Sequence, residues 1–178
     1  MFSIFKNPTY RFFIVSILLF LSWLLIYEYW LHPKGGLDKA VISNIVYFSS
    51  NILKSLGYNV LQEYPFDENF RTVIIDGVHG VWIGDPCNGI ELFALFIGFV
   101  IAYPGRLINK LLFIPVGVVL IHIVNIIRVI ALCMIDFYNS ELLDFNHTYT
   151  FTITVYSFVF LLWYLWSTKW NNYVLNPK

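Results

Sequence analysis

Four apolar stretches of membrane-spanning length set the frame of this chain: Phe12 to Leu31, Asn88 to Tyr103, Leu111 to Ile135 and Phe151 to Trp166. The first alone would extend about 30 Å as a helix, enough to cross the hydrocarbon core of a bilayer. Composition agrees, with 58% hydrophobic residues and only 12% charged, against about a quarter charged in soluble domains. The expected fold is therefore an all-α polytopic membrane protein, residues 1–178 forming one integral membrane domain with about four transmembrane helices. Formal net charge is zero, so nothing argues for a nucleic-acid partner. Membrane lipid is the expected surrounding, and the Lys and Arg residues matter through where they lie.

The first run follows Lys6 and Arg11 and lacks a small-residue cleavage site, so it reads as an uncleaved anchor with a cytoplasmic N-terminus. Asn88 to Tyr103 stops at Pro104-Gly105, followed by Arg106 and Lys110. A basic loop belongs inside, which puts Cys87 outside. Leu111 to Ile135 then runs outward, with a bend expected around Pro115. The connector Asp136 to Asn146 carries acidic residues and no Lys or Arg, as suits an outer loop, and Phe151 to Trp166 returns inward.

If the first run leaves the membrane outside and Cys87 enters it from outside, residues 37–56 cross an even number of times or not at all. There Val41, Ile45, Phe48, Ile52 and Leu56 recur at helical spacing among polar residues, the pattern of an amphipathic helix at the outer interface. A crossing would instead put the N-terminus outside. The 58–86 segment contains two β-branched runs, 71–75 and 78–83, separated by Asp76-Gly77, which predicts a small external hairpin with a two-residue turn.

Against this apolar background a thiol, a guanidinium and an imidazole stand out at the ends of the runs: Cys87, Arg128 and His147. Ionisable groups are costly in such positions and point to function. The topology brings all three to one depth. The first turn of a helix and a nearby cation both favour a thiolate, so Cys87 is the candidate nucleophile. His147 is the candidate proton carrier and Arg128 the candidate oxyanion contact. Asn125 shares a helix face with Arg128, and Glu91, one turn past Cys87, could pair with Arg128 or orient His147. The two cysteines show neither CxxC spacing nor a partner His cluster, so no metal and no cofactor are implied.

Cys87-Asn88-Gly89-Ile90, Asn125-Ile126-Ile127-Arg128-Val129 and His147, in that order, resemble the signature of the exosortase/archaeosortase family, most nearly the short exosortase F type. The resemblance covers roughly Asp85 to Phe151. It implies a cysteine transpeptidase that cleaves a C-terminal sorting signal, made of a short motif, a transmembrane segment and a basic tail, and passes the protein to an acceptor. By that analogy Cys87 forms the acyl-enzyme, His147 transfers the proton and Arg128 contacts oxyanion or substrate, with Asn88, Gly89, Glu91 and Asn125 in support. The expected location is the inner (cytoplasmic) membrane, with the site facing the extracytoplasmic side.

Other readings stand beside this one. A small transporter or channel subunit would use Arg128, Glu91 and His122 to line a polar path, and a noncatalytic assembly partner would use none of them. Cys87 could pair with Cys133 in a disulfide. His122 reads as a helix-to-helix hydrogen bond, and His32 as an exposed loop residue.

Overall fold

A computed structural model describes residues 7–61 and 71–170. Lys6, and the 62–70 part of the 58–86 segment, lie outside the described residues. Helix α1, Pro8–Ile26, begins where the Asn7 side chain accepts the Thr9 N–H at 3.0 Å, a cap followed by proline at the first helical position. It continues through a π turn, Tyr27–Leu31, and one more turn, His32–Lys34. Phe13, Ile17, Leu21 and Leu25 are exposed along it, a surface suited to lipid tails rather than to water.

Helix α2, Gly36–Ser55, follows and buries Asp38, Ile42, Ile45, Val46, Ser49 and Leu53 on one face. Three more helices make a bundle: α3, Ile90–Ala102; α4, Leu107–Asn139; and α5, Phe151–Leu165. Its core holds Leu92, Phe96, Val100, Phe113, Ile121 and Val159. Helices α3 and α4 approach closely at Gly117, where a Cβ would fall 2.1 Å from Phe96 Cζ. At one end of the bundle Lys110 Nζ donates to the Ile101 carbonyl at 2.7 Å.

Helix α4 has 33 residues, about 50 Å, well beyond the roughly 30 Å of a bilayer core. Its excess length enters a second core, in which Val129, Leu132 and Cys133 pack with Ile45 and Leu53 of α2 and with Val73 and Ile75 of a small sheet. This second core caps the bundle at the end opposite Lys110. Together the elements form an all-α membrane protein with one small antiparallel sheet.

The sheet differs from the expected hairpin. It has three strands in the order β1 (Val60–Leu61), β2 (Thr72–Ile75), β3 (Val81–Trp82). Val60 pairs with Ile75, and Val73 pairs with Val81. The connection from β2 to β3 is residues 76–80 rather than the two residues Asp76-Gly77. The end of β2 is drawn to β1, and the Gly80 N–H donates to Asp136 Oδ2 on α4 at 3.0 Å instead of to β2.

The connector after α4 also departs from a loop. Helix α4 persists to Asn139 and runs unbroken through Pro115. The chain then reverses through a 3-10 turn, Ser140–Leu142, and resumes helical structure at Leu143–Phe145 and a π turn, Asn146–Thr150. Leu143 packs against the cap core, and Asn146 Nδ2 bonds the Leu142 carbonyl at 2.9 Å. His147 is thus held on the first turns of a helix leading into α5, not in a loop ahead of it.

Candidate active site

The segment that carries Cys87 is a 3-10 turn, Asp85–Cys87, with Pro86 at its start. Cys87 N–H donates to the Gly84 carbonyl at 2.9 Å and Asn88 N–H to that of Asp85 at 3.3 Å. An Arg71–Asp85 ion pair ties the turn to the start of β2. Gly89 then takes a left-handed conformation, φ +88°, and α3 begins only at Ile90. Cys87 therefore precedes the helix instead of occupying its first turn, as expected from sequence. The field of the helix N-terminus falls on Asn88, whose Oδ1 accepts the Ile90 N–H at 2.9 Å, more than on the thiol.

Asn125 explains Gly89. Its Nδ2 donates to the carbonyls of Cys87, 3.2 Å, and Asn88, 3.0 Å, and sits 3.2 Å from where a Gly89 Cβ would lie. One turn along α4, Arg128 Nη2 reaches Cys87 Sγ at 3.9 Å. From the other side His147 Nε2 lies 3.4 Å from the same sulfur. Three side chains far apart in sequence thus converge on one thiol.

They line a cleft of about 310 Å³ with Pro86, Glu91 and Tyr156, bounded by α3 and the α5 side. Burial, and then the Arg128 charge, lower the pKa of His147 below the ordinary histidine value, with Asp144 acting the other way. The neutral ring, a proton acceptor, is thereby favoured. The Arg128 Nε is buried and finds no partner among the described residues.

Glu91 lies on the exposed rim of the cleft and makes no hydrogen bond or ion pair among the described residues. Neither of its expected pairings forms, because the Arg128 guanidinium is directed at the thiol. Both cysteines are free. Cys133 is buried in the cap core with Sγ 3.8 Å from the Val73 carbonyl, so the Cys87–Cys133 bridge is not made. His122 bonds Asn44 of α2 at 2.7 Å, a helix-to-helix contact as expected, and does not line the cleft with Arg128 and Glu91. No group of three His, Cys, Asp or Glu side chains gathers as metal ligands would among the described residues.

Sequence reasoning missed Asp38, Tyr27 and His32. Asp38 Oδ1 accepts from Tyr27 OH at 2.6 Å and from Asn88 Nδ2 at 2.7 Å. His32, expected in an exposed loop, lies with Nδ1 3.5 Å from Asp38 Oδ2. The signal was the helical wheel: Asp38, Ile42, Ile45 and Ser49 share one stripe, so an acid stood on the apolar face.

In this helical membrane protein a thiol, an imidazole and a guanidinium thus gather in one cleft at an end of the bundle. The family model described as transmembrane exosortase matches residues 2–169, and the chain belongs to that family, transmembrane transpeptidases acting on the C-terminal sorting signals of protein substrates. No curated protein and no solved structure matches it.

Proposed function

We propose that the protein cleaves C-terminal sorting signals of exported proteins through a Cys87 acyl-enzyme, at the membrane-water boundary on the extracytoplasmic side of the inner membrane. The observation that carries this reading is the convergence of His147 Nε2 and Arg128 Nη2 on Cys87 Sγ, at 3.4 and 3.9 Å. His147 takes the thiol proton, and the thiolate attacks the scissile carbonyl. The N–H groups of Cys87, Asn88 and Ile90 are already bonded within the turn and its cap, and the Arg128 guanidinium, directed at the sulfur, supplies the charge that stabilises the oxyanion. The tetrahedral intermediate collapses to a thioester, the C–N bond breaks, and His147 returns its proton to the leaving amine. Attack on the thioester by an acceptor nucleophile, which passes its proton to His147, completes transfer, and attack by water completes hydrolysis.

The substrate's own transmembrane helix lies in the same bilayer, so it approaches the cleft laterally. The test is processing of a co-expressed exported protein ending in a short motif, a transmembrane segment and a basic tail. Cys87→Ala and Cys87→Ser abolish processing while the protein stays in the membrane, and mass spectrometry finds a substrate-derived acyl group on wild-type Cys87. Arg128→Ala lowers the rate about 10²–10³-fold, and Arg128→Lys, a point charge lacking the planar fork, does not restore it. Retained cleavage by Cys87→Ala overturns the proposal.

A further inference from the structure

Behind the Cys87 turn lies a buried carboxylate that the chemistry above does not use. Asp38 is 1% exposed, and a carboxylate out of water is unfavourable unless hydrogen-bonded. Its partners are the Tyr27 hydroxyl, the Asn88 amide and, more distantly, His32. Tyr27 is itself buried between exposed Ile26 and Glu28, at the start of the π turn that extends α1. Such turns recur at functional sites because they redirect one side chain.

We infer that Asp38 is a positioning residue for Cys87, acting through Asn88; this rests on Cys87 being the nucleophile. A carboxamide can present either end to a neighbour. Asp38 accepts only, so it fixes the Asn88 nitrogen on its own side at 2.7 Å and leaves the oxygen for the Ile90 N–H at 2.9 Å. From the opposite side Asn125 holds the carbonyls of Cys87 and Asn88. The residue after the nucleophile is clamped twice, by α4 through its backbone and by α2 through its side chain. The thiol sits one residue from that clamp. Without Asp38, the Asn88 nitrogen loses its acceptor and the carboxamide loses its direction. The Ile90 cap then competes with other orientations, and the reach from Cys87 to His147 is no longer set.

The test is an exchange of side chains in the full chain, purified in detergent, with Cys87 alkylation by iodoacetamide followed by mass spectrometry of the Cys87 peptide. Asn88→Asp alone puts two carboxylates in contact and slows alkylation roughly tenfold. Adding Asp38→Asn exchanges donor and acceptor and still leaves an acceptor for Ile90. The Tyr27 hydroxyl, bonded to the same Asp38 oxygen as Asn88, turns to accept the second N–H of the new carboxamide, and the rate returns to within about threefold of wild type. Asp38→Leu, which removes the acceptor without adding charge, slows alkylation in the folded fraction isolated by size exclusion. If the exchange fails to restore the rate, or if folded Asp38→Leu alkylates as wild type does, the inference is overturned. Processing of the exported substrate by Cys87→Ala keeps the two readings apart. Should it persist, the nucleophile assignment fails; should it be lost while the folded Asp38 variants alkylate Cys87 as fast as wild type, only the positioning role fails.

Discussion

His147 can act as a proton acceptor only while its ring is neutral, and its surroundings favour that state. Burial comes first and the Arg128 charge second, both lowering its pKa, while Asp144 raises it. A histidine with a lowered pKa stays neutral as the pH falls through its ordinary value of about 6.5, so the acid limb of Cys87 reactivity lies below that value. Asp144→Asn removes the one opposing influence and moves the limb to still lower pH. The displacement is small, because Asp144 is exposed and screened. Alkylation rate at Cys87 against pH measures it, and movement of the limb to higher pH in Asp144→Asn would contradict this account of the site.

Among the elements, α3 and α4 approach closely at Gly117. A Cβ on Gly117 would meet the Phe96 ring at 2.1 Å, and Phe96 is fully buried, so the ring has nowhere to move. Gly117→Ala should cost about 1–3 kcal/mol by overpacking, seen as a lower melting temperature in detergent. Phe96→Leu in the same chain should recover part of it, since the two side chains compete for one space. The same elements show what sequence can and cannot reveal. Apolar runs were enough to find the helices, because length is a local property, but the face of α2 was misjudged: Phe48, Ile52 and Leu56 of its expected stripe are exposed, and Asp38, Ile42, Ser49 and Leu53 are buried instead. Cys87, Arg128 and His147 were legible because ionisable groups at the ends of apolar runs are few. The placement of Cys87 ahead of α3 was not, because it depends on a left-handed Gly89 that Asn125 favours from another helix. Asp38 escaped for a related reason: its partners Tyr27 and Asn88 lie 11 and 50 residues away, and an acid beside Lys39 reads locally as a solvated face. Strand β1 has two residues, too few to show a period.

At the scale of the whole molecule the two cores lie end to end along α4, and they face different solvents. The bundle core is surrounded by apolar side chains exposed on α1, α4 and α5, whereas the cap core is covered by α2, whose outer side mixes Lys39, Ser43, Asn44, Asn51 and Lys54 with Phe48 and Ile52, and by the sheet. Cys87 sits at the cap end, and the Arg106 and Lys110 loop sits at the other end of α3, where Lys110 closes onto Ile101. If basic loops stay in the cytoplasm, the cap and its thiol face outward. A small anionic methanethiosulfonate that cannot cross membranes should then modify Cys87 on intact cells. A cysteine introduced as Arg106→Cys in a Cys87→Ala chain should react only after permeabilisation, and Cys133, packed in the cap core, only after unfolding. The reverse pattern would put the thiol in the cytoplasm, out of reach of the exported part of any substrate. Orientation and the proposed activity therefore stand or fall on the same labelling experiment.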